Sequence, residues 1–211
     1  MSADLQPRAA ATPGRGPAAP DRLHDAALFL GCGLRHPQQV CSIFPSSPGV
    51  GRAMARAIAG RPGEAVVELG GGTGPVTRAL IESGIDARDL TSVELDPELA
   101  GHLRALFPDV EVLNKPAQKL AAMWREGGRD RVGAVVSTLP LRIFDADTVD
   151  AVLDSAFAIL APGGCFVQFT YRFASPVARA TVERLGLVAR RAEVVWLNLP
   201  PAAIWVYSRP F

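Results

Sequence analysis

The stretch Val66–Val67–Glu68–Leu69–Gly70–Gly71–Gly72–Thr73–Gly74 decides the reading of this chain. An apolar, β-forming run enters a glycine-rich turn, and Pro75 then opens a helical pattern. Glycines at such a turn let the backbone approach a ligand and adopt positive φ, as a crevice at the carboxyl ends of parallel strands requires. A dinucleotide fingerprint, G-x-G-x-x-G, would use Gly70 and Gly72 and then need glycine where Pro75 stands. Gly74 instead completes G-x-G-x-G, preceded by Glu68. That variant suits a ligand without a pyrophosphate, whose amino group faces a carboxylate. Ser92–Val93–Glu94–Leu95–Asp96 ends the next strand and places an acid where ribose hydroxyls can donate to it.

Outward from this turn, short β-rich runs alternate with helical ones. The expected strands are 65–69, 90–95, 110–113, 132–137, 164–171, 188–197 and 203–208. Helices are expected at 75–83, 97–107, 116–126, 147–160 and 176–185, four of them opening with Pro. Such alternation predicts an α/β, Rossmann-like, seven-stranded, mostly parallel sheet with helices on both faces. Only Asn198–Pro201 and its neighbours separate the last two strands. No crossover helix fits there, so they are expected to form an antiparallel hairpin. Upstream, residues 1–20 read as a disordered tail. Residues 21–62 read as an N-terminal helical segment, with helices over Asp21–Arg35 and Val50–Ala59, and residues 63–211 as the catalytic domain.

A chain of 211 residues suits one domain with a single sizeable core. Its formal charge of +1 carries no general nucleic-acid footprint. Charge is nevertheless uneven: Arg35, Arg52, Arg56 and Arg61 lie between Asp25 and Glu64 with no acid among them, a net of +4. Six Arg against Glu183 and Glu193 repeat the bias from Cys165 to Phe211. Cys32, Cys41 and Cys165 form no even framework or CxxC, so a reducing cytoplasm is expected. His24, His36 and His102 show no metal spacing, and no metal is assigned. With no signal peptide or transmembrane run visible, membrane contact is expected to be peripheral.

The runs E-L-G-G-G-T-G (68–74) and V-E-L-D-P-E-L (93–99) resemble motifs I and II of class I S-adenosylmethionine-dependent methyltransferases. The resemblance implies a seven-stranded sheet with a reversed final hairpin, S-adenosylmethionine as cofactor and S-adenosylhomocysteine as product. It implies that Glu68, Gly70, Gly72 and Gly74 hold the methionyl end and Glu94 the ribose. Thr73, Leu95, Ala117, Gln118, Ser137 and Ser47 complete the expected cofactor set. Where the family usually has Gly-Asp-Ala after the third strand, this chain has Lys115–Pro116–Ala117, which leaves the adenine to backbone groups and Gln118.

Ser137–Thr138–Leu139–Pro140–Leu141 ends the fourth strand, where this fold presents its methyl acceptor. Adenine-N6 methyltransferases carry N-x-P-[YF] there. Leu141 replaces the aromatic residue, and a basic RNA-binding domain is missing. RNA adenine methylation is therefore the alternative rather than the first reading, with a non-catalytic cofactor- or lipid-binding module as a third. Leu34–Arg35–His36–Pro37, Phe44–Pro45–Ser46–Ser47–Pro48, S-T-L-P-L, Gln168–Phe169–Thr170–Tyr171 and Asn198–Leu199–Pro200–Pro201–Ala202 together resemble bacterial phospholipid N-methyltransferases. These methylate the phosphatidylethanolamine head group toward phosphatidylcholine at the cytoplasmic face of the membrane. The family usually has Pro at 71 and Gly at 138, where this chain has Gly71 and Thr138.

Methyl transfer to an amine needs positioning and a neutral nitrogen more than a nucleophilic side chain. The expected catalytic residues are Ser137, Pro140 with the neighbouring carbonyls, and Tyr171, whose ring can face a methylated ammonium or simply cap the core. Leu139, Arg172, Asn198 and Arg35 complete the expected substrate set. Arg172 meets the lipid phosphate or solvent, and Asn198 shapes the pocket or turns the hairpin. An anionic membrane surface is the expected partner of the Arg-bearing N-terminal segment, whose first helix either inserts in lipid or covers the cofactor cleft.

Overall fold

The computed structural model describes residues 48–59 and 65–210. The tail, the helix expected over 21–35 and the candidates Arg35 and Ser47 lie outside them.

Helix α1 (Pro48–Ala57) leads into β1 (Val66–Leu69), α2 (Pro75–Glu82), β2 (Leu90–Val93), α3 (Pro97–Leu106) and β3 (Glu111–Leu113). Then follow α4 (Leu120–Glu126), β4 (Val132–Ser137), α5 (Ala146–Ile159), β5 (Leu160–Thr170), α6 (Arg179–Arg184), β6 (Val188–Val195) and β7 (Ala202–Ser208). The seven strands run in the order β3-β2-β1-β4-β5-β7-β6. All pairings are parallel except β7 with β5 and with β6. The hairpin is thus antiparallel, as its short connection dictates.

Period-two alternation divides the core between two faces. Val66, Leu90, Val136, Val167 and Ile204 pack with Val50, Met54 and Ile58 of the N-terminal segment and with Val76, Leu80, Leu103 and Phe107. On the other face Val67, Leu69, Val135, Phe166 and Tyr207 meet Leu120, Trp124, Leu153 and Phe157. Gly51 allows α1 to cross α2 closely, since a Cβ there would stand 2.7 Å from that of Ala79. Helix α1 is therefore built into the main core, and Arg56 joins it to Glu193 of β6 at 2.6 Å.

Three element starts differ from the pattern by more than two residues. The helix expected over 116–126 divides into a single 3-10 turn, Ala117–Lys119, and α4. The helix expected from Pro176 starts only at Arg179. Ser175 Oγ accepts from Val177 N and approaches Tyr207 Oη at 2.8 Å, which holds the chain in a turn there. Strand β5 begins at Leu160 rather than Gly164, because Leu160 already pairs with Val132 ahead of a register shift.

Candidate active site

The strand order reverses between β1 and β4, which makes their carboxyl ends the topological switch point where ligands enter doubly wound sheets. The turn after β1 stands on one side of this crevice, and Ser137–Pro140 on the other.

Glu68 lies on the same face of the sheet as Val66 and is fully buried beneath the glycine turn. Its Oε2 accepts from Thr77 Oγ1 at 2.6 Å and Ser92 Oγ at 2.8 Å, while Oε1 is buried with no hydrogen-bond partner. Burial pushes this carboxyl above the ordinary carboxylate range, and the two hydroxyl donors offset only part of that. Above it Gly70, Gly72 and Gly74 have φ of 80, 56 and 89°, a region closed to most side chains. Gly70 also faces the β4 loop: a Cβ would stand 2.9 Å from Thr138 Oγ1. Thr138 donates from its hydroxyl to Gly70 O and from its amide to Leu69 O, binding the two lips of the crevice together.

Glu94 accepts from Gly72 N and from Asp96 N, both at 2.9 Å. Burial raises its pKa and these backbone donors oppose the shift. Asn114 donates to Glu94 O at 2.9 Å and Leu95 O at 2.8 Å, fixing the turn after β2 from the end of β3. Leu95 is half exposed beside it. Thr73 and Ala117 are buried, and Gln118 stands exposed on the 3-10 turn.

Beyond the β4 lip lies a cavity of about 230 Å³, lined by Leu139, Pro140, Ile143, Phe169, Tyr171 and Arg172 among others. Phe169 and Tyr171 meet edge to face, 5.3 Å between centroids. Of the expected residues, Leu139, Pro140, Tyr171 and Arg172 come together here. Ser137 does not line this cavity; fully buried, its Oγ takes Leu139 N at 3.3 Å and shapes the loop. The Leu139 carbonyl is already filled, accepting from Gln168 Nε2 and Leu141 N, both at 2.9 Å. Among the described residues' backbone donors Pro140 O accepts from Ile143 N alone, which leaves it a lone pair. Asn198 is buried at the hairpin turn, its Nδ2 donating to Pro200 O at 2.7 Å, and it too lies off the cavity.

The domain family described as "Methyltransferase domain" matches residues 66–164. An ornithine lipid N-methyltransferase of Singulisphaera acidiphila is 31% identical over 70% of this chain and 79% of its own length. This chain belongs to the S-adenosylmethionine-dependent methyltransferases. The ribosomal RNA small subunit methyltransferase A of Corynebacterium jeikeium matches more narrowly, 33% identical over 47% of this chain, which spans only 33% of that protein. Among solved structures, the 1,6-didemethyltoxoflavin-N1-methyltransferase of Burkholderia thailandensis, with 1,6-didemethyltoxoflavin and S-adenosylhomocysteine bound, shares the fold. Its TM-score is 0.61 at 17% identity over 94% of both chains.

The methyltransferase's own residues fit its cofactor. The unpartnered Glu68 Oε1 is an acceptor held ready beneath the turn, and a carboxylate there matches the ammonium of the methionyl group. The left-handed glycines leave the turn without side chains over the crevice. Both Glu94 oxygens serve the backbone, yet each retains lone-pair capacity for a ribose hydroxyl. Four residues that sequence reasoning did not assign hold this machinery: Thr77 and Ser92 on Glu68, Asn114 on the β2 turn, and Gln168 on the β4 loop. Gln168 stood inside the Q-F-T-Y run, so a signal existed. Thr77, Ser92 and Asn114 are common polar residues whose partners come from other elements, and nothing local marks them.

Proposed function

We propose that this methyltransferase transfers methyl groups to the amine of a membrane aminolipid: phosphatidylethanolamine and its partly methylated forms, toward phosphatidylcholine, at the cytoplasmic membrane face. What carries this is the acceptor cavity, where two aromatic rings and an exposed arginine stand beside the β4 lip. An amine flanked by an anion matches that set, with the ring of Tyr171 toward the nitrogen and Arg172 toward the anion. The lipid N-methyltransferase relative supports the same class of acceptor.

When bound, S-adenosylmethionine supplies an electrophilic methyl group on a sulfonium. The chain's task is to present a neutral amine to it. A primary amine has a pKa near 10 in water, by analogy with lysine. The apolar walls of Leu139, Pro140, Ile143 and Phe169 disfavour the ammonium form and lower that value. The free lone pair of Pro140 O is the acceptor that can orient the N–H bonds; nitrogen forms its bond to the methyl carbon as the sulfonium C–S bond breaks, and the proton left on the product ammonium passes to solvent. Leu139 O is saturated, and Ser137 acts through the loop it holds, as a positioning residue.

An ornithine-lipid amine is the second reading, favoured by the relative's activity. RNA adenine is disfavoured by Leu141, which is buried at 2% exposure where a base-stacking ring would be needed. The test is to incubate the protein with labelled cofactor and vesicles carrying each successive phosphatidylethanolamine intermediate, an ornithine lipid, or RNA. Label in the phosphatidylethanolamine series is expected. Label confined to the ornithine lipid would replace the substrate, and label in RNA alone would overturn the lipid class.

A further inference from the structure

Burial of apolar side chains is the rule for the described residues, and its main exceptions gather beside the acceptor cavity. Trp196, Leu197 and Leu199 occupy the turn between β6 and β7, at 70%, 103% and 87% exposure. The Trp196 ring meets Phe173, centroids 5.7 Å apart. Phe173, itself 49% exposed, directly follows Arg172 of the cavity wall, and half-exposed Ile143 belongs to the same wall. Through the Phe173–Trp196 contact, exposed apolar side chains thus extend from beside the cavity wall to the hairpin tip. Such a patch on a soluble fold marks an interaction surface.

Its border is basic. Arg142, Arg172 and Arg191 are exposed, and the Arg191 guanidinium lies 6.0 Å from the Phe173 ring centroid. From Ser155 to the end of the chain only Glu183 and Glu193 are acidic, and both are neutralised in ion pairs, with Arg179 and Arg56. A second copy of the chain, docked about a twofold axis, would set these arginines against their own counterparts. An anionic lipid surface complements both features: it accepts the apolar tip and attracts the cations around it. The tip is also pre-shaped, since Asn198 spans it from within through Pro200 O and Val195 O, leaving its neighbours pointing out.

We propose that the tip of the β6–β7 hairpin, with Phe173, is a membrane-docking surface that inserts Trp196, Leu197 and Leu199 into an anionic bilayer. Seated there, the cavity mouth faces the head-group layer, so a lipid amine enters it without leaving the membrane. This last consequence rests on the lipid-amine reading; the docking itself does not.

The experiment uses the full chain and vesicles of phosphatidylcholine with or without phosphatidylglycerol. Vesicle partition is measured for wild type and for the triple variant Trp196→Ser, Leu197→Ser, Leu199→Ser, whose fold is checked by circular dichroism. The surface substitutions leave the core intact, and methylation of a short-chain aminolipid present as monomers reports the unchanged catalytic site. At least a tenfold loss of partition is expected, together with quenching of tryptophan fluorescence by brominated lipid that disappears in Trp196→Phe. Equal partition of variant and wild type would overturn the proposal, as would vesicle binding without Trp196 quenching, which assigns docking to another face. So would a solution dimer that the triple variant abolishes. If wild type partitions through the hairpin but methylates no lipid, the docking surface stands and the proposed function falls. If wild type methylates vesicles and the triple variant partitions and methylates as wild type does, the proposed function stands and the docking surface falls.

Discussion

Glu68 concentrates the chemistry beneath the glycine turn in one carboxyl. Fully buried, with one oxygen held and the other open, it is costly to ionise until a cation arrives. Its raised pKa means that its contribution to stability is complete below the ordinary carboxylate range and is lost as pH rises through the raised value. Glu68→Gln should therefore flatten the pH dependence of unfolding and stabilise the cofactor-free protein at neutral pH, read by urea denaturation at a series of pH values. A bound ammonium favours the ionised form, so cofactor affinity should rise with pH across the same window. Titration calorimetry should find Glu68→Gln weaker by about tenfold or more, since hydrogen bonds to charged groups contribute roughly 1.5–3 kcal/mol, and insensitive to pH there. Gly71 is a second single-residue test. A Cβ at this position would stand 2.3 Å from Ser92 Oγ and 2.7 Å from Leu103 Cδ1. Gly71→Ala should cost about 1–3 kcal/mol by overpacking and weaken the cofactor by dislodging Ser92 from Glu68, measured by thermal unfolding and calorimetry together.

Among the elements, α3 shows how a cap serves the site. Asp96 Oδ1 accepts from Glu98 N at 2.8 Å and Leu99 N at 3.0 Å, and Pro97 needs no donor of its own at the first turn. Asp96 N meanwhile donates to Glu94, so the cap and that buried carboxylate share one turn. Asp96→Ala should cost about 1 kcal/mol in urea denaturation, and Asp96→Asn should recover most of it. The strand and helix pattern was legible because hydrophobic period and Pro-led starts are local signals: β4 has the bounds its sequence predicts. The start of α6 was not. The residues just before it are held by Ser175, whose other partner, Tyr207, lies on a strand far along the chain. Burial pushes the Tyr207 hydroxyl up to about 12, so that contact stays protonated across ordinary pH.

At the scale of the whole molecule, the N-terminal segment and the sheet share a core. Met54 is completely buried among residues of the sheet's α1–α3 face. Met54→Ala should destabilise the entire methyltransferase by about 2–5 kcal/mol, as one cooperative transition in calorimetry rather than a separate melting of α1. The Arg56–Glu193 pair on the same helix is half exposed and should contribute under about 1 kcal/mol, so packing governs this attachment.

The sequence by itself determined the doubly wound sheet, the reversed final hairpin and the glycine turn with its two acids. Each of these rests on periodicity, on φ demands that only glycine meets, or on a loop too short for a crossover. Tertiary structure alone decided which carbonyl at the β4 lip stays open, that Ser137 and Asn198 shape loops off the cavity, and that Phe173 joins Trp196 beside the cavity mouth. Those outcomes depend on hydrogen bonds and ring contacts between residues remote in the chain, and no local pattern encodes them.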